Sequence, residues 1–283
     1  MLCGNRLPTT PNIFSIKIKL LQKEDTDNTV NKDEINVYSE KDPSNLPWKE
    51  LGIDLVFECT GLFTNYDDSY KHIKAGARKV LISAPAKGDI KTIVYNVNHD
   101  TLTKDDIIVS AASCTTNCLA PVVKVLNDEF GILRGEMTTV HAYTNDQANL
   151  DVAHKKGILS RRGRASAANI VPASTGAASA IGKVIPELEG KLDGFAMRVP
   201  VTTGSVIDLT LELNKVVDKD MVNDTFNKNK NETLNITYDP IVSSDIIGNT
   251  CGSTVDGLLT SVLEVDGKQF VKVVFYFCFQ PSY

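Results

Sequence analysis

The sequence predicts an α/β domain built on a doubly wound parallel sheet, followed by an α+β domain with a mixed sheet. Between residues 35 and 113, short continuous apolar runs alternate with turn signals and one helical stretch, as strands covered on both faces do. From Arg134 onward apolar and polar residues alternate instead, most clearly where Ile207, Leu209, Leu211 and Leu213 interleave with Asp208, Thr210 and Glu212. That is the two-residue period of a strand with one wet face. A chain of 283 residues is long enough for two such cores.

Taken in order, residues 1 to about 34 are polar and aperiodic, and Gln22–Thr29 reads as exposed loop. Strands are expected at Ile35–Tyr38, Leu55–Cys59, Val80–Ser83, Ile93–Tyr95 and Ile107–Val109, with a helix near Asp67–Ala75. Leu119, Val122, Val123, Leu126 and Phe130 then fall on one face of a helix. Further on, strands are expected at Met137–Tyr143, Val206–Leu213, Leu263–Val265 and Val271–Phe275, and helices at about Ala177–Leu188 and Lys219–Lys230. The division falls near Cys114, giving units 1–113 and 114–283.

Apolar residues make up 42% and charged residues 23%, ordinary for a soluble globular chain. A net charge of −5 argues against a nucleic-acid surface, and Arg161-Arg162-Gly163-Arg164 is too short to track a phosphate backbone. No apolar run approaches the roughly 18 residues of a membrane span, so no membrane partner is expected. Six scattered cysteines form no disulfide framework, which favours a reducing, cytoplasmic setting. Cys114 and Cys118 lie four apart, but no second pair completes a metal site.

The chemistry centres on Ser113-Cys114-Thr115-Thr116-Asn117-Cys118. Cys114 stands where an apolar strand gives way to a helix, and the unpaired N–H groups of a helix start favour a thiolate. His141, 27 positions on in Thr138–Thr144, can return beside that thiol if the helix is followed by an adjacent strand. A Cys–His pair supplies a nucleophile and its base, although a lone strand histidine is more often a hydrogen-bonded core residue. Thr175 and Gly176 precede the second-half helix and suit either an anion or a plain cap. Arg198 interrupts an apolar stretch, where a guanidinium pairs with a carboxylate or receives a phosphate. Ser113 and Thr115 flank the thiol and are placed to donate to the same ligand. None of the 18 glycines has another two positions away, so the G-x-G-x-x-G turn of a dinucleotide site is missing.

With these residues in view, the chain resembles the phosphorylating glyceraldehyde-3-phosphate dehydrogenase family. The resemblance rests on S-A-A-S-C-T-T-N-C-L-A-P at 110–121, T-T-V-H-A-Y-T at 138–144, N-I-V-P-A-S-T-G-A-A at 169–178, L-D-G-F-A-M-R-V-P at 192–200 and Y-D-P-I-V-S-S-D at 238–245. It covers about residues 35 to 274 and implies an incomplete Rossmann-like domain ahead of a mixed-sheet catalytic domain. By resemblance, Cys114 attacks the aldehyde and His141 is its base, while NAD takes the hydride and inorganic phosphate cleaves the thioester to an acyl phosphate. Thr144 and Arg198 resemble the pocket for the substrate's own phosphate. Ser113, Thr115, Thr175 and Gly176 resemble the site of the attacking phosphate. Lys41, Thr60, Gly61, Ser83 and Asn145 resemble cofactor contacts, NADP remaining an alternative to NAD. The Arg161–Arg164 loop resembles a tetramer contact.

Two departures stand at the ends. Met1–Asn36 shows no counterpart of the family's glycine turn and first strands, so impaired cofactor binding is expected. The family's S-W-Y-D-N-E is replaced from Phe275 on, with Phe279 at the Asn position, and Phe275 to Phe279 read as an altered frame or truncated copy rather than a strand. The rival readings are an enzyme for a related phosphorylated aldehyde such as erythrose 4-phosphate, a cofactor-free thiol hydrolase, and a non-catalytic paralogue that joins mixed oligomers.

Overall fold

The computed structural model describes residues 29–30, 33–34 and 36–278, apart from 151 and 158. The loop expected at Gln22–Thr29 lies outside them except for Thr29, which is in a strand instead, and the substitution at Phe279 lies outside them too. Within the aperiodic N-terminal stretch, β1 (Thr29–Val30) and β2 (Asp33–Glu34) pair as a short antiparallel hairpin. The strand expected at Ile35–Tyr38 is not formed over 36–38. Tyr38 packs on the first core instead.

Three elements then build a parallel sheet in the order β3 (Leu55–Glu58), β4 (Lys79–Ile82) and β5 (Ile108–Ser110). Between β3 and β4 runs α1 (Tyr66–Lys74), capped by the Asn65 side chain accepting from Asp68 N. Its core comprises Trp48, Val56, Val80, Ile82 and Ile108. The expected strand at Ile93–Tyr95 is replaced by a turn. The Asn98 side chain accepts from Val94 N–H and donates to Thr92 C=O, satisfying the backbone locally. Val94 and Val97 are thereby driven into the larger second core.

From β5 the chain enters α2 (Cys114–Phe130), whose buried face carries Cys118, Leu119, Val122, Val123 and Leu126. The mixed sheet follows: β6 (Ile132–Ala142), β7 (Val171–Ser174), β8 (Leu192–Val199) and β9 (Ser205–Leu213), with α3 (Ala177–Val184) between β7 and β8. The expected helix to Leu188 ends early because Pro186 cannot donate to it, and Pro186–Leu188 forms a 3-10 turn. Then come α4 (Lys219–Lys228), β10 (Leu234–Thr237), β11 (Ser253–Asp256), β12 (Ser261–Val265) and β13 (Lys268–Phe277). The eight-stranded sheet runs β10-β11-β13-β9-β6-β8-β7, with β12 on β13. α2 packs across it and against α3 and α4.

The aromatic end of the chain is a strand after all. Phe275 pairs with Ile207 and Phe277 with Ser205, and both side chains are fully buried in the main core. Tyr276 and Cys278 face the other way into a small cluster with Ile246. With apolar cover on both faces, a run without polar alternation is what the strand requires.

Candidate active site

Cys114 is the first residue of α2, with Ser113 as its cap accepting from Thr116 N–H at 3.1 Å. The approach to this helix is tight, since Ala112 is buried and lies at φ 62°, a left-handed conformation that a non-glycine residue adopts only under constraint. The Cys114 thiol is half-buried, and His141 Nε2 lies 3.5 Å from its Sγ. His141 Nδ1 sits 2.6 Å from the carbonyl of Ala142. A hydrogen bond that short assigns the proton to Nδ1 and leaves the Nε2 lone pair facing the sulfur.

His141 is 3% exposed. Burial, reinforced by the Arg198 charge, pushes its pKa down to about 4, so the imidazole is neutral at pH 7. The Phe277 ring meets it edge-on at 5.7 Å between centroids. Cys118, one turn along α2, is fully buried with its thiol pushed well up by desolvation. Cys114 is the member of this cysteine pair with a base beside it.

Arg198 stands opposite His141 in the parallel β6–β8 ladder. Its Nη1 donates to Thr144 Oγ1 at 2.9 Å and reaches the Ala142 carbonyl at 3.3 Å, while its buried Nε has no protein partner. An unpaired buried donor of this kind calls for an acceptor. Asp146, which sequence reading missed, accepts from Thr144 and pairs with Arg162. Burial alone would raise its pKa, but these hydrogen bonds hold it below the usual carboxylate range. Arg162 also donates to the Ser174 carbonyl at 2.9 Å, tying the basic loop to the end of β7. Thr115 is buried with Oγ1 4.0 Å from the Cys114 sulfur. Thr175 Oγ1 accepts from Ala177 N–H, the first residue of α3, whose cap position is Gly176.

A cleft of about 1110 Å³ is lined by Thr60 from the first unit and by Asn145, Asp146, Arg162 and Ser174 from the second. Thr60 and Gly61 follow the carboxyl end of β3, and Ser83 follows β4, the edge of a parallel sheet where dinucleotides bind. Gly61 lies at φ 72° with nothing within 4 Å of where a Cβ would stand, so its backbone is open to a ligand. The residues present therefore fit a dinucleotide at this edge. Gly61 and Ser83 do not line the cleft, nor does Lys41, an exposed bend residue. Among the described residues no group of three or more His, Cys, Asp or Glu is placed to hold a metal ion, and no helix is long and apolar enough to cross a membrane.

Residues 113–277 match the family model of the glyceraldehyde 3-phosphate dehydrogenase C-terminal domain, and residues 15–66 that of its NAD binding domain. The second match begins well ahead of residue 35, so part of the N-terminal stretch that sequence reading left without a counterpart has one. The chain is 54% identical over 254 residues to glyceraldehyde-3-phosphate dehydrogenase of Clostridium pasteurianum, covering 90% of this chain and 76% of that relative. The Clostridium acetobutylicum enzyme of the same name is 52% identical over the same shares. The Streptococcus pyogenes one is 53% identical over 255 residues, again 90% and 76%.

Proposed function

Since the chain belongs to the glyceraldehyde-3-phosphate dehydrogenase family, an NAD-dependent oxidoreductase family, we propose that Cys114 and His141 are the pair that oxidises glyceraldehyde 3-phosphate. The observation that carries this reading is the 3.5 Å approach of Nε2 to the thiol, with the Nδ1 proton committed to Ala142. His141 takes the thiol proton at Nε2 as sulfur attacks the aldehyde carbon and passes it to the carbonyl oxygen, giving a thiohemiacetal. The same nitrogen, once it has released that proton, accepts the hydroxyl proton as the carbon is oxidised to the thioester. Bound NAD supplies the hydride acceptor for that oxidation. Inorganic phosphate then attacks the thioester carbon, and the bond to Cys114 breaks to release an acyl phosphate and the thiolate.

In this reading Arg198 and Thr144, already joined by the Nη1 to Oγ1 hydrogen bond, hold the substrate's phosphate. Ser113, Thr115, Thr175 and Gly176 surround the attacking phosphate at the two helix starts. Thr60, Gly61, Ser83, Asn145 and Lys41 serve the cofactor, Lys41 from an exposed bend outside the cleft. The units are 1–113 for cofactor and 114–283 for chemistry.

We also propose a cytoplasmic homo-oligomer, a tetramer as the resemblance implies. Supporting it, Phe195 and Phe270 are 42% and 50% exposed on strands whose next residues, Ala196 and Val271, are buried, which leaves two large rings on the outer side of the sheet.

The test is NADH formation from glyceraldehyde 3-phosphate, NAD and phosphate by the chain and its Cys114→Ser and His141→Asn variants. Loss of at least about a hundredfold is expected for each. A Cys114→Ser variant with full activity would end the covalent reading.

A further inference from the structure

The chemistry above leaves one buried ionisable pair unused. Glu58, the last residue of β3, is 3% exposed, as is His72 on α1. His72 Nε2 lies 3.1 Å from Glu58 Oε2, and Trp48 Nε1 donates to His72 Nδ1 at 3.0 Å. The indole N–H has no acceptor capacity, so Nδ1 must be the unprotonated nitrogen and Nε2 carries the hydrogen given to Glu58. The other carboxylate oxygen, Oε1, accepts the Thr60 backbone N–H at 2.7 Å and the Thr60 hydroxyl as well.

The Thr60 hydroxyl, having given its hydrogen to Glu58, accepts from Leu62 N–H at 3.1 Å. It has no proton left for a ligand. What the turn presents is therefore backbone, at Gly61 above all. The Glu58 carbonyl meanwhile accepts both the N–H of Ser83 at 3.0 Å and its hydroxyl at 3.2 Å. One residue thus holds the chain ends leaving β3 and β4 together. Burial alone would raise the Glu58 pKa, but the bonds from His72 and Thr60 outweigh it and keep the carboxyl below its usual range.

A buried carboxylate is costly unless every oxygen is satisfied. Packing the first core would need only an apolar side chain here. The charge instead spends its strongest bonds on the turn at the cleft, with His72 and Trp48 bracing it from behind.

We propose that Glu58 is a positioning residue for the dinucleotide: through Thr60 its carboxylate fixes the turn after β3 against which the cofactor lies, braced by the Trp48–His72 relay. This rests on the reading of Thr60, Gly61 and Ser83 as cofactor contacts.

The test uses the full chain with Glu58→Ala, Glu58→Gln and Trp48→Phe. NAD affinity is measured by calorimetry, Thr60 and Leu62 amide exchange by mass spectrometry or NMR, and Cys114 alkylation by iodoacetamide. Glu58→Ala is expected to weaken NAD binding about tenfold, the loss of a charge-assisted hydrogen bond, and to speed exchange at Thr60. Glu58→Gln, which keeps an acceptor oxygen, is expected to weaken it about threefold and carries the test if the alanine variant does not fold. Trp48→Phe removes only the distal donor and is expected to fall between wild type and Glu58→Gln. Alkylation of Cys114 stays within about twofold of wild type throughout, a split that a merely structural role would not give.

Unchanged NAD affinity in the Glu58 variants beside a wild type that binds would overturn this inference alone. So would a parallel loss of NAD affinity and Cys114 reactivity. A wild-type chain that binds no NAD would overturn the cofactor reading itself, and this inference with it.

Discussion

Replacing His141 by Asn removes a group that should make the folded chain acid-sensitive. The folded imidazole has a pKa of about 4 against an ordinary value of 6.5. Above pH 6.5 both folded and unfolded chains hold it neutral, and it contributes no pH dependence. Between 6.5 and 4 the unfolded chain takes up a proton that the folded chain refuses, so stability falls as the pH falls through that window. Below about 4 both are charged and the loss levels off. At 1.36 kcal/mol per pH unit, the wild type should lose about 2.5 kcal/mol between pH 7 and pH 4.5 from this residue. Asp106, whose pKa is lowered to about 2 by Lys91 and Thr103, titrates below that window and cancels between the two proteins. Urea unfolding at pH 7 and pH 4.5, followed by circular dichroism, measures the difference. The reasoning fails if His141→Asn and wild type lose equal stability on acidification. It fails more informatively if wild type gains stability from this residue, which would mean that His141 is already an imidazolium paired with a Cys114 thiolate.

Arg198→Lys keeps the charge but loses the planar fork, and should raise the KM for glyceraldehyde 3-phosphate at least about tenfold in steady-state assays, with a smaller effect on the KM for NAD. Phe275→Ala opens a cavity in the main core and should cost about 3–5 kcal/mol in urea unfolding, whereas a frayed terminal segment would cost almost nothing. Iodoacetamide at neutral pH should label Cys114 in the folded chain and leave Cys118 unmodified until denaturant is added, as peptide mass spectrometry will show.

Elements with a strong local pattern were readable from residue order alone. β9 alternates over its whole length, and α2 places its apolar residues on one face. Elements defined by distant partners were not. β8 was overlooked because Asp193, Gly194 and Arg198 break its alternation, yet Gly194 is there for contact: a Cβ would stand 2.2 Å from the Met137 carbonyl of the neighbouring strand. Ile93–Tyr95 looked like a strand until Asn98 folded it into a turn. At the site, Cys114 and His141 were legible because a thiol at a helix start and a histidine one helix and one strand later suit known chemistry. The Trp48–His72–Glu58 relay was not, since its members sit 24 and 14 positions apart with no periodic signature. The Asp146–Arg162 pair was hidden for the same reason, spanning 16 positions of loop.

His141 and Arg198 occupy one rung of the β6–β8 ladder. The spacing between the imidazole and the guanidinium is therefore written in main-chain geometry, where neighbouring parallel strands keep a nearly constant separation. A slip by a single residue would turn one of the two to the opposite side of the sheet, so intermediate distances are not accessible. Loop changes around Thr144 and Ser174 can reshape the mouth of the cleft. On the reading proposed above, the reach from reacting carbon to phosphoryl group is then a property of the fold, and a substrate with a longer carbon chain has to bend to be accommodated.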